Sequence, residues 1–443
     1  MRRKAEQNLT VWYKSSHKKP LIIRGARQVG KSTLVRNFCK EKKIHLFEIN
    51  LERYPHLNEI FKKLNPKLAV DNIEDILQKK ISPFDNILLF LDEIQSTPSA
   101  IPLLRYFYEE MPNLSIIAAG SLLEFTLNDH EYAMPVGRID FMFLGPMDFE
   151  EFLWAKNEKY FVNKIAKINS PEQITLEFHK KGLELLKEYL FIGGMPEAVF
   201  VSTQKSIEQV SRIHAQIMQT YQADFVKYAK KNHLVKIQHV FKYLFTNPCI
   251  KIKYSNISKD DQARDIKKHI NLLEMARVIS KIHHTKCNGF PLNASEDENV
   301  FKVILLDIGL MNSMSEISWK TFSKLSDHEI ITFGKIAEQF IGQQLLSFWP
   351  NYKQPRLNYW LREGKSNNAE VDYVLEYDGT LIALEVKAGA AGKIRSLNQL
   401  MQDVPIKNKK AIRFNTSKGE LENTIYPLIT LPLYTVNWLK NFL

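Results

Sequence analysis

The chain has 443 residues but only three cysteines: Cys39, Cys249 and Cys287. They lie too far apart for a CxxC metal knuckle, and their odd number rules out a complete disulfide framework. They are read as reduced, structural thiols. Long apolar runs are missing as well. The longest, Ile87–Leu91, is strand-sized and far short of the roughly 18 residues that a membrane-spanning helix needs. The basic start Met1-Arg2-Arg3-Lys4 runs into Ala5-Glu6-Gln7-Asn8, with no secretory apolar segment behind it. The expectation is a cytoplasmic protein with no membrane partner. No repeat or low-complexity stretch is visible. What remains is an ordinary globular composition, 44% hydrophobic and 25% charged. At this length it should fill two or three cores.

The formal net charge is +12. Such a charge suits a polyanionic partner, DNA foremost, and equally suits a solvated lysine-rich surface.

Short apolar runs alternate with amphipathic helices through residues 1–165, as in a parallel α/β sheet. Strands are expected at Leu21–Arg24, His45–Asn50, Ile87–Leu91, Ser115–Ala119 and Phe141–Leu144, with a helix starting near Met147. Residues 166–315 read differently. Helices at Ile174–Leu190 and Glu208–Ala229 flank a Gly193-Gly194-Met195-Pro196 turn. Then come helix Val235–Phe245, a link at Tyr254–Ser258, helix Gln262–Glu274, and strands Arg277–His284 and Val300–Leu306. That order suits a winged helix, whose last two strands form a β-hairpin wing. Residues 316–443 form a third unit: helix Phe333–Phe348, strands Leu357–Leu361, Val371–Tyr377 and Leu381–Lys387, helix Ile394–Met401 and strand Ala411–Phe414.

The sharpest motif is Gly25-Ala26-Arg27-Gln28-Val29-Gly30-Lys31-Ser32, a full GxxxxGK[ST] between a strand and a helix. Its glycines let backbone N–H groups converge on phosphate oxygens, and the helix start adds a favourable dipole. Gly25 through Thr33 is the expected nucleotide-binding segment. Lys31 should reach the β- and γ-phosphates, and Ser32 should ligate Mg²⁺. The run Ile87-Leu88-Leu89-Phe90-Leu91 delivers Asp92 and Glu93 to the carboxyl edge of the sheet, where open α/β sheets bind ligands. Asp92 is the second expected Mg²⁺ ligand, and Glu93 the group that polarises the attacking water. Ser121, just past the Ser115–Ala119 strand, offers a hydroxyl for the γ-phosphate or the water. Arg138 offers charge for the transferred phosphoryl group, within the chain or on a neighbouring subunit.

A second constellation lies near the carboxyl end. Asp378-Gly379 is the strongest short hairpin signal. With these two residues as the turn, Tyr377 pairs with Thr380, and paired numbers keep a constant sum. That register sets Asp372 opposite Glu385 and Glu370 opposite Lys387. Two facing carboxylates at ~5 Å repel each other, and a divalent cation between them would remove the penalty. Lys387 beside them could stabilise a metal-bound hydroxide or a pentavalent phosphate. The same register reads equally as an exposed hairpin with an ordinary Glu370–Lys387 salt bridge.

These residues resemble a large prokaryotic family of AAA-type ATPases. The resemblance rests on Gly25–Ser32, Leu91-Asp92-Glu93-Ile94-Gln95, Met134-Pro135-Val136-Gly137-Arg138, Phe191-Ile192-Gly193-Gly194-Met195-Pro196-Glu197, Tyr221-Gln222-Ala223-Asp224-Phe225, Leu306-Asp307-Ile308-Gly309-Leu310, and Tyr359-Trp360-Leu361-Arg362 through Ala369-Glu370-Val371-Asp372. It spans nearly the whole chain. It implies a P-loop ATPase sheet, a helical and winged-helix region, and a small α/β domain similar to restriction-endonuclease-like, PD-(D/E)xK nucleases. It implies ATPase roles for Lys31, Ser32, Asp92 and Glu93. It also implies that Glu338, Asp372 and Glu385, with Lys387, match the nuclease pattern, although Val371 stands where that pattern has proline. Two functions follow. One is an ATPase acting on DNA with a metal-dependent nuclease-like domain. The other is an ATP-dependent switch that binds a partner protein, its nuclease-like domain silent. Such ATPases often form rings, and nothing in the sequence sets a subunit number.

Overall fold

A computed structural model describes the chain except residues 83–85, 128–134, 136, 229–232, 315, 327–328, 330–334, 364–367, 388–393 and 424–425. No described helix is long and apolar enough to cross a membrane.

Five strands, β1 (Leu21–Arg24), β2 (His45–Asn50), β3 (Ile87–Asp92), β4 (Ile116–Gly120) and β5 (Asp140–Phe143), form a parallel sheet in the order β2-β3-β4-β1-β5. All six residues of β3 are buried. Alternate residues feed two cores: Leu88 and Phe90 face one, Leu89 and Leu91 the other. Both faces are covered, so the run needs no polar alternation. The helix expected near Met147 runs from Phe149 to Ala155, with Asp148 as its N-cap and Glu151 closing a capping box.

Helices Leu176–Ile192 and Val210–Tyr228 follow. Next come helix Leu234–Thr246, a helical turn Tyr254–Ile257 where a plain link was expected, and helix Ala263–Met275. β6 (Ile279–Thr285) and β7 (Glu296–Leu305) pair antiparallel as a hairpin. Helix, turn, helix and hairpin therefore occur in the expected order, but the hairpin is no free wing. β6 pairs in parallel with β8 (Leu357–Arg362), matching Ile282 to Leu357, and so joins the carboxyl-terminal sheet. The sequence shows no such pairing because the two strands are remote along the chain.

That mixed sheet has eight strands in the order β12-β13-β11-β10-β9-β8-β6-β7. Its other members are β9 (Ala369–Tyr377), β10 (Thr380–Val386), β11 (Lys409–Asn415), β12 (Glu420–Asn423) and β13 (Pro427–Pro432). Helix Ile336–Leu345 lies against it; residues 333 and 334 of the expected Phe333–Phe348 helix fall outside the described residues. The hairpin register holds from Thr380↔Tyr377 to Leu384↔Tyr373.

Residues 1–165, 166–315 and 316–443 all contribute to one continuous buried core. Within it three helices meet through aromatic rings. Phe149 stands edge-on to Tyr189 at 5.5 Å and to Phe340 at 6.1 Å, and Tyr189 meets Phe340 at 5.7 Å.

Candidate functional site

The loop after β1 is shaped by close approach. A Cβ at Gly25 would stand 2.2 Å from the Leu144 carbonyl oxygen, so no other residue fits there. Gln28 and Gly30 take left-handed φ of 61° and 90°, which turns the chain into helix Lys31–Lys42. Lys31 is buried, and its Nζ donates to the carbonyls of Gly25 at 3.0 Å and Ala26 at 2.8 Å. Burial pushes the Lys31 ammonium down to about 8; Glu93 and Asp92 pull it up, while Arg27 and Arg277 push it further down. A triphosphate needs this group charged. Nucleotide affinity should therefore be flat below pH 8 and fall as pH rises above it, the ammonium being lost from the free protein. The nucleotide-free fold should gain stability from about pH 8 upward, because the unfolded lysine keeps its proton to a higher pH. Calorimetric titration and melting across pH 7–10 check the two opposite slopes; parallel slopes would contradict this environment for Lys31.

Ser32 Oγ donates to Asp92 Oδ2 at 2.8 Å, so the first helical turn and the end of β3 meet. Burial raises the Asp92 carboxyl, and the Ser32 hydrogen bond opposes that shift. A hydroxyl and a carboxylate side by side are hard oxygen donors that suit Mg²⁺. Glu93 follows in a left-handed turn with φ 53°. Its Oε2 accepts from Gln95 Nε2 at 2.6 Å and from Ser121 Oγ at 3.5 Å. Ser121 Oγ in turn accepts from Arg27 Nε at 3.2 Å. The phosphate loop, the strand-end acid and the end of β4 are thus joined in one polar chain. Gly120 leaves room for it, since a Cβ there would press on Gln95 Oε1 at 2.3 Å.

Residues 17–153 match the AAA domain family. This part of the chain is an AAA-type ATPase domain. Beyond the AAA domain, residues 183–321 and 333–434 match two domains of unknown function, DUF8612 and DUF4143. No curated protein matches the chain. Solved structures similar to it include the Walker-type ATPase PABY2304 of Pyrococcus abyssi, at 15% identity and TM-score 0.44, covering 71% of this chain and 95% of that one. The ORC2 protein of Aeropyrum pernix shares 12% identity at TM-score 0.30, covering 71% and 94%. The RuvB Holliday junction branch migration motor of Thermotoga maritima shares 12% identity at TM-score 0.28, covering 62% and 88%.

The phosphate loop of the AAA domain is gripped from outside it. Arg27 Nε lies 2.9 Å from Asp224 Oδ2, and the Arg27 carbonyl accepts from the Tyr221 hydroxyl at 2.7 Å. Tyr221 and Asp224 are three apart on helix Val210–Tyr228 and share a face. Their motif was visible in the sequence, but its target was not. From the other side Arg3 donates to the Val29 carbonyl at 3.0 Å and to Glu151 at 3.0 Å.

Thr33 is exposed in the first turn of its helix. Arg138 lies elsewhere. Parallel pairing matches Leu21 to Asp140, so Arg138 sits at the amino edge of the sheet and the phosphate loop at the carboxyl edge. It is half exposed and pairs with Glu109 at 3.0 Å. Within one chain it does not reach the loop. Met134 and Val136 of its motif lie outside the described residues.

The carboxyl-terminal residues do come together, with an unexpected member. Glu338, Glu370 and Asp372 bring one carboxylate oxygen each within 4.8 Å of one another. Among them sits Lys302 of β7, fully buried, 2.9 Å from Glu338 Oε1, in contact with Glu370, and 4.0 Å from Asp372 Oδ1. Lys335 Nζ takes the other Glu338 oxygen at 2.8 Å. Asp372 Oδ2 accepts from the Val386 N–H at 2.7 Å. Lys387 pairs with Glu385, not with Glu370 as the hairpin register suggested. A fully buried ammonium needs carboxylates more than the half-buried Lys387 does, and it takes Glu370. Burial, then Glu338 and Glu385, push the Asp372 carboxyl well up, and burial raises Glu385 too. Glu338 is held low: burial would raise it, but Lys302 and Lys335 prevail. Lys302 could have been suspected as the lone charge in the apolar run Val300–Leu306.

Proposed function

We propose that the chain is a Mg²⁺-dependent ATP hydrolase that works as a nucleotide-driven switch. Lys31 holds the β- and γ-phosphates, and Glu93 orients the attacking water. Ser121 relays the position of the phosphate loop to Glu93. Ser32 and Asp92 would hold Mg²⁺, which when bound neutralises charge on the β- and γ-phosphates. The observation that carries the switch is the grip of Asp224 and Tyr221 on Arg27. A triphosphate must draw the Lys31 ammonium away from the Gly25 and Ala26 carbonyls. The neighbouring Arg27 peptide is tied to helix Val210–Tyr228, so rearrangement of the loop is felt by that helix.

Lys31→Ala should abolish ATP turnover and cut nucleotide affinity by at least about tenfold, with the circular dichroism unchanged. Wild-type turnover in that variant would refute the assigned loop. ATP should also change hydrogen-exchange protection in residues 210–228. In Asp224→Asn, with the Arg27 ion pair weakened, that response should fade while ATP still binds. A helix whose exchange ignores ATP in the wild type would leave a hydrolase with no switch.

What the switch acts on follows from its surface charge. The net +12 favours a polyanion such as DNA over an acid-poor protein surface. Binding to random-sequence duplex that weakens steeply with salt supports this reading; no binding at low salt opposes it.

A further inference from the structure

The carboxylate cluster of the carboxyl-terminal sheet has the dimensions of a cation site, and it already holds a cation. Lys302 stands mid-way along the apolar part of β7 with no exposure to solvent. An ammonium in such a place survives only if carboxylates surround it. They do: Glu338 lies at 2.9 Å, Glu370 is in contact and Asp372 lies at 4.0 Å. These are the same three residues whose oxygens converge within 4.8 Å. The face of Tyr359, 4.9 Å away, closes another side.

Four of the six oxygens of Glu338, Glu370 and Asp372 are in use, while Glu385 Oε2 is buried without a hydrogen-bond partner. Glu338 gives one to Lys302 and the other to Lys335. Asp372 gives one to the Val386 N–H. Lys387 is engaged with Glu385. The charges nearly balance: Glu338, Glu370, Asp372 and Glu385 face Lys302, Lys335 and Lys387. Burial pushes the Asp372 and Glu385 carboxyls upward, which lessens the negative charge left for a further cation. A divalent ion added to this arrangement would meet a fully buried ammonium sharing its own ligands, and like charges held that close repel.

We propose that the Lys302 ammonium is the resident cation of this cluster, filling the position between Glu338, Glu370 and Asp372 that a divalent ion would take, so that the carboxyl-terminal sheet binds no divalent metal there and supports no metal-dependent strand cleavage. The cluster serves as a buried ionic lock that fixes β7, β9 and helix Ile336–Leu345 to one another. This inference is independent of ATP turnover.

The test is an Mn²⁺ titration of the full chain without nucleotide, read by electron paramagnetic resonance. Wild type and Glu370→Gln should bind the same amount of Mn²⁺, since any ion held by Ser32 and Asp92 is common to both. Glu370 is only partly buried, and glutamine keeps its shape and an acceptor for Lys302 while Glu338 and Asp372 keep their charge, so this variant should keep the fold. Lys302→Met should gain one further Mn²⁺ per chain, and Lys302→Met combined with Asp372→Asn should lose it again. If Lys302→Met does not fold, the comparison of wild type with Glu370→Gln decides alone. A wild-type Mn²⁺ site weakened tenfold or more by Glu370→Gln overturns the proposal. So does nicking of supercoiled plasmid by wild type with Mn²⁺ that disappears in Lys387→Ala.

Discussion

Glu93→Gln should keep ATP bound and slow its hydrolysis by about a hundredfold to ten-thousandfold, the range for loss of a positioned base. Glutamine keeps the shape and still accepts from Gln95 Nε2, now at 2.6 Å from Glu93 Oε2. What is lost is the negative charge that draws a proton from water. Affinity should hold or rise slightly, because Glu93 also opposes the phosphate charge from close to Lys31. Single-turnover kinetics with a fluorescent ATP analogue separate the two effects. Wild-type hydrolysis would remove Glu93 from its role. A loss of binding would mean that Glu93 builds the pocket and does not act on the water.

The other large effect is on stability. Asp307→Ala should destabilise the fold by about 4 kcal/mol or more, because several buried donors lose their acceptor together. Asp307 is fully buried after β7. It accepts from the N–H groups of Gly194 at 2.6 Å, Gly309 at 3.0 Å and Leu310 at 3.2 Å, and from Gln343 Nε2 at 3.1 Å. Burial pushes its carboxyl up to about 6, and those donors pull it down. Gly194 is packed so closely that a Cβ there would lie 1.9 Å from the Met147 carbonyl oxygen. Urea unfolding measures the loss. Asp307→Asn, which keeps the shape and one acceptor, should cost clearly less. Equal midpoints for Asp307→Ala and wild type would mean that water replaces the carboxylate.

The two motifs around Gly193-Gly194 and Leu306–Leu310 therefore hold the fold together, and sequence reading located them without their purpose. What was legible is local. A glycine loop between a strand and a helix, five apolar residues leading to two acids, and a two-residue hairpin turn each fix their geometry within a few residues. The turn at Asp378-Gly379 sets the register as far as Leu384↔Tyr373. Just beyond it the Asp372 side chain takes the Val386 N–H. What was not legible needs partners distant in the chain. Arg27 reads as loop filler until Asp224 and Tyr221 are brought to it. Arg138 reads as a phosphate ligand within the chain or on a neighbouring subunit, and parallel pairing sets it, within one chain, at the edge away from the loop. Lys302 reads as a stray charge until three carboxylates surround it. Strands β12 and β13 were missed; Pro427 and Pro432, at either end of β13, weaken its strand signal.

The bond between β6 and β8 bears on how this molecule can grip anything long and flexible. A hairpin tethered only at its base can lean, follow a groove and let go. One stitched at Ile282, His283 and His284 to the edge of a larger sheet moves only if the panel moves with it. Any object it meets is therefore offered a stiff ledge, with orientation set by the panel rather than by the object. Adjustment has to come from what is being held.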